Sequence, residues 1–180
     1  IIDDEFNNFL KDNQVLYGHY QFVSELDQLI CDESILTFFL YRDPRDADLS
    51  ATLYIKNVLM HHQLHHSLSK MSEYDALTFM ISGGLIYNSS NELINYEGIS
   101  YISNNALRWT SKKNVCALRY EDFFFNPHET ILNALSKVNV EIDSVHLENT
   151  LKEFSFAKFS GGRKRGEEDK SSHFRKGIVG

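Results

Sequence analysis

The sequence predicts an α/β fold, a central parallel sheet flanked by helices, in a single domain spanning residues 1–180. The apolar run at residues 35–41 has the length and the aromatic and aliphatic content of a buried strand, and residues 114–119 form a second strand candidate. Helix-period segments lie before, between and after them. Strands that alternate with helices are typical of a parallel sheet, and 180 residues of which 42% are hydrophobic can bury one sizeable core.

The N-terminal part is the start of a β–α–β unit. Asp3 or Asp4 can cap a helix that ends near residue 11, residues 15–17 are a short strand candidate, and residues 23–30 have a helical pattern. Beyond the strand at 35–41, regularly spaced apolar residues predict one long helix: Leu49, Leu53, Met60, Leu64 and Leu68. Two further helical segments are expected within residues 75–110.

The C-terminal third begins with the strand at 114–119. Asn126 is a predicted N-cap, with Pro127 at the first helical position and Glu129 three residues after the cap. The apolar stripe of this helix is Ile131, Leu132, Leu135 and Val138. A last helix includes Leu147, Leu151 and Phe154.

Charge is unevenly distributed along the chain. The net charge of −7 argues against general nucleic-acid binding. Residues 158–176, however, hold seven Lys or Arg residues against three acidic residues, a local balance of +4. A basic tail on an acidic body suggests a specific anion, and a solvated charged loop is the alternative.

The two cysteines, Cys31 and Cys116, lie far apart beside or within apolar runs. This pattern indicates buried thiols rather than a disulfide framework, so we expect a reducing, cytoplasmic setting. No run of about 18 apolar residues is present, so no membrane span and no membrane partner are expected.

The first candidate site lies at the end of the predicted strand at residues 35–41. In parallel sheets, ligands bind outside the carboxyl ends of the strands, where the next helix directs its N-terminus. Arg42 stands at that end, Pro44 fixes the turn, Asp46 can cap the helix, and Ser50 follows eight residues after Arg42. Guanidinium and hydroxyl groups can close together on one phosphate. In the alternative, the arginines pair at the surface with nearby acids: Arg42 and Arg45 with Asp43, Asp46 and Asp48.

Four segments together resemble the cytosolic-type sulfotransferases. YRDPRDADLS at residues 41–50 resembles the motif that binds the 3'-phosphate of 3'-phosphoadenosine 5'-phosphosulfate. GHYQF at 18–22 resembles the segment of the catalytic base, and LRYEDFFFNPHETI at 118–131 resembles a strand and helix start. GRKRGEEDKSSHFRKGIVG at 162–180 resembles the family's Arg-Lys-Gly signature. The resemblance implies a P-loop-NTPase-like sulfotransferase fold and residues 158–180 as the basic nucleotide-binding loop.

The resemblance also implies a role for each matching residue. The 3'-phosphate is held by Arg42, Ser50, Arg175, Lys176 and Gly177, and the adenine is contacted by Tyr120 and Phe156. For both aromatic residues, packing in the core is the alternative. The expected donor is 3'-phosphoadenosine 5'-phosphosulfate and the product adenosine 3',5'-bisphosphate, with no metal.

His19 is the general base that the resemblance implies, since an imidazole with an intrinsic pKa near 6.5 can accept a proton from an acceptor hydroxyl. The acceptor is expected to be a small or carrier-bound hydroxyl compound. Many members of the family have a lysine two residues before this histidine, whereas this chain has Tyr17. The stabilisation that such a lysine supplies is therefore in doubt.

A loop that the family uses for the 5'-phosphosulfate, resembling Pro-Lys-Ser-Gly-Thr, has no counterpart in these residues. Because residue 1 is not Met and the family usually continues past the position of Gly180, we expect the chain to be a fragment, and the activity of this stretch alone is open. A noncatalytic nucleotide-binding or interaction module is the alternative function. A kinase-like P-loop protein is a weaker third option.

The histidine-rich stretch HHQLHH at residues 61–66 places His61 and His65, and His62 and His66, one helical turn apart. No further ligand is spaced to complete a metal site, so metal binding is the minor interpretation. Acceptor selection is expected in this region and in residues 72–110.

Overall fold

The computed structural model describes residues 17–18, 22–30 and 35–179. In chain order the elements are α1 (Ser24–Ile30), β1 (Thr37–Tyr41), α2 (Pro44–Asn57), α3 (His65–Leu68), α4 (Glu73–Ser82), β2 (Gly84–Tyr87), β3 (Leu93–Tyr96), α5 (Ile99–Thr110), β4 (Val115–Arg119), α6 (Tyr120–Phe125), α7 (Pro127–Lys137), α8 (Ser144–Glu153) and α9 (Phe156–Phe159). Within these residues no helix is long and apolar enough to cross a bilayer. The predicted first helix at 3–11 lies outside the described residues, and so does most of the predicted strand at 15–17.

The two predicted strands β1 and β4 pair in parallel, which confirms the α/β prediction. Their register runs from Thr37 opposite Val115 to Tyr41 opposite Arg119. The connection between them carries α2 to α5, as a crossover between parallel strands requires. Because both strands end at the same level, the residues that follow them, Arg42 and Tyr120, leave the sheet side by side.

A second sheet, the antiparallel hairpin of β2 and β3, was not predicted, because this region was expected to be helical throughout. The turn is built by Asn88, whose Oδ1 accepts the backbone N–H groups of Ser90 and Glu92, at 2.9 and 2.8 Å. Asn91 adopts φ 60°, a conformation that asparagine tolerates better than most residues. Ile86 is buried whereas its neighbours Leu85 and Tyr87 are exposed, which is the period-two pattern of a strand.

The single long helix predicted from Leu49 to Leu68 is wrong. Helix α2 ends at Asn57, and the chain turns back before α3 begins. The Lys56 ammonium holds this turn by donating to the carbonyl groups of Leu68 (3.0 Å), Ser69 (3.2 Å) and Met71. Leu64 and Leu68 still reach the core, while Met60 is 70% exposed. Tertiary contacts therefore override a spacing that suits one continuous helix.

Two apolar clusters form the core of the described residues. One lies under α2, α3, α4 and the hairpin: Ile55, Leu64, Leu68, Ala76, Met80 and Ile86. The other joins α1, α5 and β4: Leu26, Ile30, Trp109 and Val115, with Phe22 and Phe39 packed against it. Cys116 is buried and is a free thiol, as predicted.

Candidate functional site

Arg42 lies at the carboxyl end of β1 and directly faces Tyr120 from the end of β4. Its guanidinium carbon is 4.7 Å from the centre of the Tyr120 ring, a cation–π contact. Its Nη2 donates to Asp46 Oδ2 at 3.3 Å and to the carbonyl of Ile178 at 3.4 Å. Its Nε is buried and has no hydrogen-bond partner in the described part of the chain. Arg42 therefore keeps an unused donor at the strand end.

The start of α2 differs from the sequence prediction in its cap. Asp43, not Asp46, is the N-cap, and its carboxylate accepts the N–H of Arg45 at 3.0 Å. A bidentate interaction with the exposed Arg45 side chain is the main cause that lowers the pKa of Asp43 to about 2. The surface-pair alternative thus holds for Arg45, and in part for Arg42 through its ion pair with Asp46. Asp48 is 1% exposed and is no surface partner.

Glu121 connects the two strand ends, and sequence reasoning missed its role. Its Oε1 accepts the backbone N–H of Asp43 at 2.9 Å, and its Oε2 forms an ion pair with Arg119 Nε at 3.0 Å. Glu121 is buried. It therefore fixes the turn after β1, which carries Arg42, to the start of α6, which carries Tyr120.

The C-terminal segment meets this corner through Gly177 and Ile178. Gly177 adopts φ 62°, and a Cβ built there lies 2.4 Å from the Phe156 ring. The neighbouring Ile178 carbonyl accepts from Arg42. Direct contacts thus run from Tyr120 through Arg42 and this segment to Phe156. Four of the predicted nucleotide contacts belong to one continuous group.

Arg175 and Lys176 lie in the same segment. The carbonyl of Arg175 accepts the N–H of Asp169 at 2.8 Å, and that of Lys176 accepts the N–H of Gly166 at 2.8 Å. The Arg175 guanidinium pairs with Glu168. Ser50 is half-buried in α2, and within the described residues its hydroxyl forms no hydrogen bond to the other predicted contacts.

Part of the basic excess at 158–176 is neutralised within the molecule. Lys158 pairs with Glu153 at 3.2 Å, and Lys170 with Glu73 at 2.9 Å. Arg165 lies 4.1 Å from the centre of the Phe124 ring. The charged-loop interpretation is therefore correct for several of these cations, and the local charge alone is weaker support for an anion site than the sequence suggests.

His19 lies outside the described residues, but the chain three residues later is well anchored. The N–H of Phe22 donates to Asn105 Oδ1 at 2.7 Å, and its ring packs edge-on against Trp109, which stacks on Phe39 of β1. Beside Phe22 lies a cavity of about 510 Å³. Its lining comes mainly from α5: Phe22, Tyr101, Asn104, Asn105, Leu107, Arg108 and Ser111.

Three of the four histidines at 61–66 make local contacts. His62 Nδ1 accepts the N–H of Leu64 at 3.1 Å, and His65 Nδ1 contacts the Ile55 carbonyl at 2.7 Å. His66 Nε2 lies 2.6 Å from Lys70 Nζ. Burial lowers the pKa of His62. No group of three or more potential metal ligands is found among the described residues.

Comparisons with known proteins bear on the family and on the fold of this chain. The profile of the family described as "Sulfotransferase domain" matches residues 10–180. Among solved structures, mouse sulfotransferase SULT7A1 complexed with PAP is similar to this chain with a TM-score of 0.55 and 15% sequence identity. The match covers 79% of this chain and 49% of that chain, so this chain spans about half the length of the mouse protein's structure. No match was found among curated proteins.

The structural likeness concerns the fold, a mixed α/β arrangement with a small parallel sheet and flanking helices. The family profile, in contrast, extends over most of the sequence, including each segment whose contacts are described above. The chain therefore belongs to the sulfotransferase domain family.

Proposed function

We propose that this chain forms the 3'-phosphate-binding part of a sulfotransferase that moves a sulfuryl group from 3'-phosphoadenosine 5'-phosphosulfate to a hydroxyl acceptor. The observation that carries the proposal is the contact of Arg42 with both Tyr120 and the Ile178 carbonyl. Through these contacts, groups from two strand ends and from the basic tail meet at one place. A phosphate dianion requires several fixed donors of this kind.

The residues at this corner fit a phosphate ligand. The buried Nε of Arg42 lacks a partner within the described residues, and a buried donor without an acceptor is costly, so an anion there is favourable. The C-terminal segment supplies the Lys176 ammonium, the Gly177 N–H and the Arg175 guanidinium. The last of these exchanges its ion pair with Glu168 for the phosphate. Ser50 supplies a hydroxyl from α2. Tyr120 and Phe156 have aromatic rings next to this group and are proposed to contact the adenine.

His19 is proposed to act as the general base. The bound donor supplies an activated sulfuryl group, whose bond to the 5'-phosphate breaks as the acceptor oxygen forms a bond to sulfur. His19 takes the proton that the hydroxyl loses. Alignment of the acceptor and neutralisation of the phosphates then supply most of the rate enhancement.

The acceptor is proposed to be a small or carrier-bound hydroxyl compound that occupies the cavity beside Phe22. Phe22, which lines this cavity, follows His19 by three residues in the sequence. The polar groups that α5 contributes to the cavity can orient hydroxyl groups. The proposal needs neither nucleic acid nor a membrane as partner. It also includes a reducing, cytoplasmic setting.

Binding of two matched nucleotides tests the phosphate site. We expect adenosine 3',5'-bisphosphate to bind more tightly than adenosine 5'-monophosphate in isothermal titration calorimetry. Arg42→Ala and Arg175→Ala should each weaken the bisphosphate by about 1.5 to 3 kcal/mol and barely affect the monophosphate. Arg45→Ala is the control, because Arg45 is 83% exposed and its charge pairs with Asp43. Equal losses for both nucleotides contradict the proposed phosphate site.

Transfer of labelled sulfuryl groups to a panel of hydroxyl acceptors, with the full-length protein, separates an enzyme from a noncatalytic module. Transfer supports the enzyme. Selective binding of the bisphosphate without transfer to any acceptor supports the module, and preference for ATP supports the kinase-like option.

A further inference from the structure

Arg163 uses its whole guanidinium inside the C-terminal loop. An arginine side chain has five N–H donors in a fixed planar arrangement. In this loop all five have acceptors: Nε donates to the Ser160 carbonyl (3.3 Å), Nη1 to the carbonyls of Glu167 (3.1 Å) and Arg175 (3.0 Å), and Nη2 to Ser172 Oγ (3.1 Å) and the Phe174 carbonyl (2.6 Å). No donor of Arg163 remains for a ligand.

These hydrogen bonds hold the loop in one conformation although it contains no regular secondary structure. Residues 160–179 contain no helix or strand, and three glycines with positive φ, Gly161, Gly162 and Gly166, bend the chain around the guanidinium. Two of the acceptors are the carbonyls of Phe174 and Arg175. They immediately precede Lys176 and Gly177, so Arg163 fixes the backbone just before the proposed phosphate contacts.

Arg163 also contacts the other side of the proposed site. Its guanidinium carbon lies 5.6 Å from the centre of the Phe156 ring. The same ring is in contact with Gly177. One side chain therefore holds both the C-terminal segment and the aromatic ring against which that segment packs.

We propose that Arg163 is a positioning residue that holds residues 174–178 against Phe156 and Arg42, and so presents Arg175, Lys176 and Gly177 to the 3'-phosphate. This inference rests on the proposed function. Arg163 acts through the residues it holds and does not itself touch the nucleotide. Its role depends on the geometry of five donors and not on its positive charge.

Three variants test this role. Arg163→Ala removes all five bonds, and Arg163→Lys keeps the charge but has three donors and no planar group. Lys164→Ala is the matched control, because it removes one positive charge from the adjacent, exposed residue without removing a side-chain hydrogen bond within the described chain. Ser172→Ala is a milder variant that is useful if Arg163→Ala does not fold. It removes one acceptor of Arg163 and also the acceptor of the Phe174 N–H, at 3.1 Å.

We expect Arg163→Ala to weaken adenosine 3',5'-bisphosphate roughly ten- to hundredfold, and adenosine 5'-monophosphate much less. Arg163→Lys should show most of this loss, Ser172→Ala a smaller loss, and Lys164→Ala little change. Full affinity in Arg163→Lys, or a loss in Lys164→Ala equal to that in Arg163→Ala, overturns the proposal, because charge alone then explains the effect.

Hydrogen exchange of the chain without nucleotide gives an independent result. The amides of Gly166 and Asp169 donate to the carbonyls of Lys176 and Arg175 and should exchange faster in Arg163→Ala, while those of β4 should not change. If wild type fails to bind the bisphosphate, the proposed function is wrong. The exchange rates still show whether Arg163 holds the C-terminal segment in place. Unchanged exchange at Gly166 and Asp169 overturns the inference.

Discussion

Gly177 is a position where the backbone itself restricts the sequence. Its φ of 62° disfavours any residue with a Cβ, and that Cβ would lie 2.4 Å from the Phe156 ring. Gly161 has a similar φ of 73°, yet a Cβ there meets nothing within 4 Å. Replacing Gly161 by alanine therefore introduces backbone strain alone, whereas replacing Gly177 introduces the same strain and a steric clash with Phe156.

We expect Gly177→Ala to cost more than Gly161→Ala. Both pay roughly 1 to 2 kcal/mol for the left-handed backbone, but only Gly177→Ala must also displace Phe156 or the C-terminal segment. The difference should appear as weaker binding of adenosine 3',5'-bisphosphate in calorimetry, since Phe156 and residues 175–177 are proposed contacts. Equal affinities of the two variants contradict a close approach of Gly177 to Phe156.

Among the elements, the turn after β1 and the start of α6 depend on each other through Glu121. Glu121→Ala leaves a backbone N–H at that turn without its acceptor and breaks the ion pair with Arg119. We expect a loss of about 1 to 3 kcal/mol in the free energy of unfolding, measured with urea. Bisphosphate affinity should fall as well, because Arg42 and Tyr120 are no longer held side by side.

Glu121→Gln and Asp122→Ala make this prediction specific. The glutamine keeps an oxygen that can accept the N–H, so its loss should be smaller than that of alanine. Asp122 is the next residue in α6 and is exposed, so its replacement should have little effect on either measurement. A loss in Asp122→Ala as large as that in Glu121→Ala indicates a general effect on α6 and contradicts the connection.

The elements that the sequence predicted correctly are those with a continuous signal within their own residues. β1 was recognised from its continuous apolar run, although it is not the buried strand that the sequence predicted, because its residues alternate between half-buried and exposed. α7 begins at Pro127, with Asn126 at the N-cap position but without a side-chain cap hydrogen bond. The hairpin of β2 and β3 was missed because the helical segments expected within residues 75–110 include its turn-forming residues, Asn88 to Asn91. The long helix was wrong because Lys56 folds the chain back. Local spacing cannot reveal bonds between residues brought together by such turns.

The candidate site shows the same division. Arg42 was predicted because it follows a recognisable strand, and the tail was predicted because of its basic charge and its family resemblance. Arg163 was missed because its five acceptors are spread over residues 160–175, and their convergence is a property of the folded loop. The pair of glycines before Arg163 was the available signal, since such pairs often mark a sharp change of chain direction.

At the scale of the whole molecule, α2, which covers one of the two apolar clusters, carries a buried carboxyl group. Asp48 is 1% exposed, and within the described residues neither carboxylate oxygen has a hydrogen-bond partner. Burial raises the pKa of this carboxyl from 3.8 to about 6. The carboxylate also contributes, after burial itself, to the raised pKa of Tyr96 in β3. A group of this kind makes the stability of the whole chain depend on pH.

The sign of that dependence follows from linkage. Because the folded state binds the proton of Asp48 more tightly than the unfolded state, the contribution of this group is fully favourable below pH 3.8 and is lost as pH rises through about 6. The difference between the two pKa values corresponds to about 3 kcal/mol in the free energy of unfolding. Asp48→Asn has no proton to lose, so its contribution should not change across this range.

We therefore expect the free energy of unfolding of Asp48→Asn, relative to wild type, to rise by about 2 to 2.5 kcal/mol between pH 4 and pH 8, because a small part of the change has already occurred at pH 4. Urea unfolding at a series of pH values measures this difference directly, and comparison with wild type cancels the contributions of the other titrating groups. Glu148→Gln, which replaces an exposed carboxylate on α8, is the control and should give a difference that changes little. A constant difference between Asp48→Asn and wild type across this range means that Asp48 reaches solvent or a partner in solution, and that the core under α2 does not hold an isolated charge.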